Sequence, residues 1–383
     1  MGQHIKVIAG ILFTMAIITM SGCRNKTAEK RISSGDISMT EVDSLQIHLD
    51  SLTTQSTSYL QLVGDSTIAF FNKPNSDIVL YNIKNGTTSK IKIFKEGPNA
   101  VHGVTGFCFL NPDSIWLYSQ WGYEINLIDS KGNRTTKYKL STDKDSSGNI
   151  LQYAVNPYPT TTTPYTVKNH IHYLAGMNNR PNDGQLPGTV MIFDEKNGSW
   201  KTGVTYPAEY GSTEDLAKWD PFAYRQVQYT MDPQGKMIMN FPASDSLFVY
   251  DPRTGTMSAH YAAYSEPTNI HLCEAKTPEE SIKNFLKQYC YTSILYDKYN
   301  DVYYRIIRKP IESEAEDLNA QIRKKPISII ILNKTFDKIG EFSLPNDEYY
   351  HNHVFVTSDG LHINKLSDDD DIMKFRVFRI IDK

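Results

Sequence analysis

Cysteine is scarce, four in 383 residues. That excludes a small disulfide scaffold, because such folds are short and cysteine-dense. Long apolar runs are missing too: the one near the start, Val7 to Met20, has 14 residues. A spanning helix needs about 20. Charge of one sign is also lacking, since 40 basic against 43 acidic residues leave a net charge of −3. A general electrostatic case for nucleic acid or an anionic membrane surface is thereby removed. The nucleophile elbow, HExxH, the P-loop and the dinucleotide fingerprint are absent from the sequence. Ser141-Thr-Asp-Lys144 matches S-x-x-K but sits in turn-forming residues and reads as chance. No reaction is named by the sequence.

What is present is a repeat. In Asp245-Ser-Leu-Phe-Val-Tyr-Asp-Pro-Arg-Thr-Gly-Thr256 a short apolar strand ends in an aromatic-plus-Asp pair and a Gly-closed turn. Related phrases are Asp77–Gly86, Glu124–Gly132, Thr189–Gly198, Ser328–Asn333 and, more weakly, Phe375–Arg379. Their closing residues (Asn82, Asp129, Asp194, Asp251, Asn333, Arg379) are 47, 65, 57, 82 and 46 residues apart. The shortest spacings match a four-stranded propeller blade, and the longer ones imply insertions. A second strand precedes several copies, launched from Gly64-Asp-Ser66, Asn111–Ser114, Asp232-Pro-Gln-Gly235 and Ser358-Asp-Gly360. Gly supplies positive φ, Pro presets φ, and Asp or Ser bonds its own backbone, so these are turns with a mechanism.

The fold class expected is therefore all-β, a six-bladed β-propeller with seven blades as the alternative. Blades are placed at about 59–94, 104–140, 150–206, 226–261, 290–344 and 351–383. The last has only three strands before the chain ends at Lys383. Ser44-Leu-Gln-Ile-His-Leu-Asp50 alternates apolar and polar residues and is expected to supply the fourth. Closing the ring with both chain ends removes exposed sheet edges.

The first residues read as a processing signal. Lys6 makes a basic start, the apolar run follows, and Met20-Ser-Gly-Cys23 resembles the bacterial lipobox. This divides the chain into a signal peptide at 1–22, a lipidated tether at 23–43 and a propeller domain at 44–383, with Cys23 as the lipidation site. Of the other cysteines, Cys108 lies in an apolar strand and reads as a buried small hydrophobe. Cys273 and Cys290 are a possible pair that nothing in the spacing demands.

Long connections (95–104, 176–188, 207–225, 262–289, 309–326, 365–372) fall mostly between blades or between second and third strands, so they collect on one face. Such loops carry function more often than the scaffold does. Thr277-Pro-Glu-Glu…Tyr289 has a Thr cap, Pro in the first turn and apolar Ile282, Phe285, Leu286 and Tyr289, which predicts a helix over that rim.

Phe94-Lys-Glu-Gly-Pro-Asn-Ala-Val101, the Tyr158–Pro164 loop, Phe241–Asp251 and His353–Gly360 resemble an uncharacterised group of Bacteroidetes lipoproteins, the domain-of-unknown-function 4221 family. The resemblance implies a propeller-like lipoprotein and brings no established activity.

Candidate contacts come from chemistry on the insertion-bearing face. Glu96-Gly-Pro-Asn99-Ala-Val-His102-Gly103 gathers a carboxylate, an amide and an imidazole, though turn residues also cluster this way for local reasons. Trp121, Tyr123 and Tyr224 offer stacking faces; Arg180, Arg225 and Arg305 offer forks for carboxylates or phosphates, or packing and surface pairs. His351-Asn-His353 and His170-Ile-His172 place two rings on one side of a strand at period two. A metal needs a third ligand there, and hydrogen-bonded strand histidines are the other reading. Asp143–Ile150 opens like a calcium loop, but position twelve is Ala154, where the bidentate Glu belongs. No metal or other cofactor is expected, calcium being the one alternative. Asp368–Asp371 reads as a solvated loop.

The function expected is a lipid-anchored recognition module in the cell envelope, at the outer membrane, monomeric, binding a peptide, a glycan or an envelope protein and no nucleic acid. A hydrolase or lyase using His102, His351 or His353 with Arg support is the alternative. A component docking a membrane assembly is a third.

Overall fold

The computed structural model describes residues 37–140, 155–177, 186–221, 223–312, 318–344, 349–367 and 369–382. Cys23, Arg180, the Asp143–Ile150 turn and Asp368 lie outside them. Strand β1 (Ile37–His48) comes first in the chain and is placed last in the ring. β2 (Leu60–Val63), β3 (Thr67–Asn72), β4 (Asp77–Asn82) and β5 (Thr88–Lys92) form the first antiparallel blade. β6 (Val104–Asn111), β7 (Ser114–Ser119), β8 (Glu124–Ile128) and β9 (Arg134–Lys139) form the second. In the third, the inner strand is split into β10 (Asn156–Pro157) and β11 (Thr166–Lys168), both paired with β12 (Ile171–Met177), followed by β13 (Gly188–Asp194) and β14 (Ser199–Thr205). β15 (Gln228–Met231), β16 (Met237–Asn240), β17 (Ser246–Asp251) and β18 (Thr256–Tyr261) make the fourth.

The remaining strands run as one eight-stranded path that divides at a single bridge into two four-stranded blades. One is β19 (Cys290–Asp297), β20 (Val302–Arg308), β21 (Ile327–Leu332) and β22 (Lys338–Ser343). The other is β23 (Tyr349–Thr357), β24 (Gly360–Lys365), β25 (Ile372–Asp382) and β1. Each predicted closing phrase marks a third strand, and all but the last, where β25 runs on past Arg379 to Asp382, end it, because an apolar third strand is buried on both faces and must then turn at the surface. The innermost strands touch in cyclic order, β2 with β6, β6 with β11, β15 with β19, β19 with β23 and β23 with β2. Apolar side chains form separate clusters between neighbouring blades, which is how a domain of this length avoids one oversized core.

Ring closure by the N-terminal strand is as expected, but the strand starts at Ile37 rather than Ser44. It pairs antiparallel with β25 from Ile37↔Asp382 to His48↔Ile372, with a register shift between Glu41 and Asp43. A one-residue bulge turns a strand over. Ile37 and Met39 accordingly join the cluster between the fifth and sixth blades, whereas Ile47 and Leu45 join the one between the sixth and first. The polar stretch Glu41–Ser44 hides this continuity from a period-two reading, so residues 37–43 are strand, not tether. At the bridge Ile37↔Gly340, a Cβ on Gly340 would lie 2.4 Å from the Ile37 carbonyl oxygen, so only glycine permits the approach.

The predicted helix is present as α2, after a shorter α1 (Thr213–Lys218) that the sequence reading did not anticipate. α2 spans Pro278–Leu286, with Thr277 Oγ1 accepting from Glu280 N at 3.1 Å and with Phe285 and Leu286 buried. A further helix, α3 (Leu318–Arg323), precedes Lys325. The Lys325 ammonium donates to the carbonyls of Phe285, Leu286 and Gln288 at 2.6, 3.1 and 2.6 Å, tying down the C-terminal end of α2 where a cation is favoured. Burial and the nearby Arg308 push its pKa down, against those three acceptors, which favour the charged form. Cys108, Cys273 and Cys290 are all free thiols; Cys273 accepts from Gln288 and Cys290 donates to the Ala223 carbonyl.

Candidate functional site

The split in the third inner strand sends Thr160-Thr-Thr-Thr-Pro164 across the axis. On one side Thr161 N donates to Ser58 O at 3.3 Å and Thr161 Oγ1 accepts from Leu60 N at 2.9 Å. On the other, Thr163 Oγ1 donates to Val227 O at 2.9 Å and Tyr229 N to Thr162 O at 3.2 Å. The first and fourth blades stand opposite each other in a ring of six, so this segment plugs the central channel. Threonine suits the task because its hydroxyl pairs with backbone groups that a strand edge leaves open.

The plug separates two cavities. Toward the C-terminal ends of the inner strands is a cleft of about 470 Å³, lined mainly by apolar residues of all six blades, among them Leu62, Leu110, Val167, Met231, Ile294 and Phe355. Toward their N-terminal ends, on the insertion-bearing face, is a polar cavity of about 80 Å³ whose walls include Gln228, Thr292, Arg308, His351 and Asn352 above Thr160 and Thr162. Beside it a groove of about 320 Å³ is lined by Ser56, Lys73, Thr105, Tyr158 and Tyr350.

Two of the inner strands that wall the polar cavity, β19 and β23, break register where they do so. β19 shifts between Tyr291 and Ser293, leaving Thr292 as the extra residue. β23 shifts between Tyr350 and Val354, releasing His351 and Asn352 from the ladder. Bulges of this kind re-aim side chains and recur beside functional sites. Arg308 is 4% and Thr292 6% exposed, and Arg308 Nε and Thr292 Oγ1 have no hydrogen-bond partner. The Arg308 guanidinium otherwise donates to the Ile322 carbonyl and lies 5.2 Å from the Phe285 ring centroid. Burial, with Arg308 beside it, holds the His351 imidazole well below its usual range, so the ring is neutral near pH 7.

Several expected contacts prove structural. Arg305 is 0% exposed and spends its N–H groups on Asn240 Oδ1 and the carbonyls of Ser244, Asp245, Ser246 and Ala262, with its guanidinium 3.6 Å from the Tyr291 ring centroid. Tyr224 is buried against Trp219 and Phe285, its hydroxyl donating to Tyr289 O. His353 lies in the same irregular stretch as His351 and both rings contact Tyr350, but His353 Nε2 is 2.6 Å from Thr57 O, joining the last blade to the first. Asn99 is engaged by Asn133 and by Arg134 N, and Glu96 and His102 are exposed beside it. Arg225 keeps an unpartnered Nε but does not line the polar cavity. Trp121 is 86% exposed, its ring over Gly103, where a Cβ would lie 2.6 Å from Trp121 Cδ1. Tyr123 is buried, its hydroxyl bonded to Asn156. The His170-Ile-His172 pair meets Glu195, at 3.0 and 3.3 Å, and among the described residues no group of three or more His, Cys, Asp or Glu side chains is placed to hold a metal ion.

The family model for a domain of unknown function, DUF4221, matches residues 34–343. The chain belongs to the DUF4221 family. A crystal structure of a DUF4221 member from Bacteroides vulgatus superposes with a TM-score of 0.75, at 21% identity, covering 91% of this chain and 100% of that one. The structure of a "Putative exported protein" from Bacteroides fragilis superposes with a TM-score of 0.54 at 9% identity, covering 91% and 97%. At such identities the likeness is one of fold, and fold alone does not name a function. No curated protein matches the sequence. In this DUF4221 chain, Thr292 and Arg308 escaped sequence reading: one is an ordinary strand threonine until the bulge, the other a strand arginine whose lack of a partner is a tertiary fact.

Proposed function

We propose that this DUF4221 protein is a lipid-anchored, extracytoplasmic recognition module that binds a peptide, glycan or envelope protein on its insertion-bearing face. The observation carrying the reading is the plugged axis: it turns a channel into a floored polar cavity, at which two inner strands give up ladder pairing to present side chains. The adjoining groove, with Tyr158, Tyr350 and Lys73, extends that surface with the aromatic and cationic groups common in recognition sites. The lipobox-like Met20-Ser-Gly-Cys23 and the description of the Bacteroides fragilis relative as exported support the location. Glycan and peptide arrays probed with a form lacking Cys23 test the module; no binding to any class, with the protein folded, rejects it. Loss of radiolabelled fatty acid in Cys23→Ser tests the anchor. The catalytic alternative draws on one feature, a neutral His351 beside the buried Arg308 guanidinium, and turnover in an activity screen that is lost in His351→Ala would establish it.

A further inference from the structure

We infer that the polar axial cavity is a binding site for a small oxyanion, the carboxylate or phosphate group of the ligand, gripped by Arg308 and Thr292. This deepens the recognition reading and rests on it. The argument begins with unused hydrogen-bond capacity. Buried polar groups in folded proteins nearly always have partners, so each orphan calls for an explanation. Here two orphans, Arg308 Nε and Thr292 Oγ1, belong to residues that line one cavity, and both can donate.

The other polar wall groups are largely occupied. Gln228 donates to Gln226 O at 2.8 Å and accepts from Asn240 Nδ2 at 2.7 Å. Asn352 Nδ2 reaches Tyr350 Oη at 3.3 Å. Thr160 and Thr162 contact each other at 3.4 Å. The buried wall atoms left without any partner are Arg308 Nε and Thr292 Oγ1, and an incoming acceptor would satisfy both.

Charge points the same way. Arg308 remains charged, with its pKa near 10, and among the described residues no carboxylate stands within ion-pair distance of it or of Lys325. A buried cation without a counter-ion is costly, and a bound oxyanion relieves both deficits, since charge-assisted hydrogen bonds from guanidinium to carboxylate or phosphate are the strong kind. The size of about 80 Å³ admits several waters or one such group. Neutral His351 adds a wall without competing positive charge, and the rest of the ligand would extend into the groove past Tyr350.

The test uses acetate and inorganic phosphate against chloride at equal ionic strength, with the full chain, read by thermal midpoint and titration calorimetry. Either oxyanion should raise the midpoint and bind in the millimolar range; acetate alone assigns a carboxylate and phosphate alone a phosphate. Thr292→Val breaks no hydrogen bond that the fold uses and should weaken binding at least tenfold. Arg308→Gln should abolish it; if that variant does not fold, Thr292→Val decides. The inference is overturned if neither oxyanion protects beyond chloride, or if Thr292→Val binds like the wild type. Array binding that persists in Thr292→Val while both oxyanions do nothing removes this site and leaves the recognition module standing.

Discussion

Replacing Arg305 with Met separates a ligand-gripping arginine from one that holds the ring together. The side chain leaves β20 and crosses to the fourth blade, where its five hydrogen bonds, at 2.6 to 3.2 Å, reach the β16 end, the loop before β17 and the end of β18. All five guanidinium N–H groups are therefore spent. Hydrogen bonds to a charged group contribute about 1.5–3 kcal/mol each, but the cost of burying the guanidinium, which burial pushes down to about 10, offsets much of the sum. Methionine approximates the stem and removes a donor from the Asn240 amide oxygen and from the carbonyls of Ser244, Ser246 and Ala262, while Asp245 O keeps the Ala262 N–H. Removing one side of a buried charged network costs about 3–5 kcal/mol, a folded-to-unfolded ratio lower by roughly a thousandfold. Urea unfolding followed by tryptophan fluorescence measures it, provided the slope is unchanged. A loss below about 1 kcal/mol, or a binding defect with wild-type stability, would refute the assignment of Arg305 to the scaffold. Arg305→Lys should recover only part of the loss, because an ammonium has three donors and no fork.

Three further outcomes follow from the same geometry. Burial lowers His172 and His353 to about 4 in the fold against 6.5 when unfolded, so the stability they confer is present above pH 6.5 and is lost as pH falls toward 4; each should cost about 2 kcal/mol by pH 5, and a urea midpoint equal at pH 7 and pH 5 contradicts it. Gly340→Ala should break the bridge to Ile37, costing about 1–3 kcal/mol and speeding protease cleavage within residues 37–48; unchanged cleavage would mean the closing strand does not need that approach. Trp121→Ala should change stability by less than about 0.5 kcal/mol while weakening array binding, and a large loss of stability would show that the ring is packing rather than contact surface.

Much of the architecture was legible in the sequence. The recurrence of an apolar strand, an aromatic-plus-acid pair and a glycine turn located every third strand, and Thr277 with Pro278 located α2, because periodicity, capping and turn chemistry are local properties written in neighbouring residues. Family membership was readable from other segments, among them Phe94–Val101, the Tyr158–Pro164 loop and Phe241–Asp251, which lie within the matched residues 34–343. The roles of individual side chains were not. Arg305 and Arg308 lie three residues apart on one strand, so they face opposite neighbours; both are buried, and only the fold shows that Arg305 meets five acceptors while Arg308 keeps an unpartnered Nε. His351 and His353 share a face in any ideal strand, and a bulge puts one at a cavity and the other on Thr57.

By itself, then, the order of residues determined most of the strands, where they turn and that a strand ahead of the first blade completes the last one. The tertiary structure alone decided where the bulges fall, what plugs the axis and which buried donors go unpaired. Those outcomes depend on groups brought together from opposite sides of a ring, and separation in space there bears no fixed relation to separation along the chain.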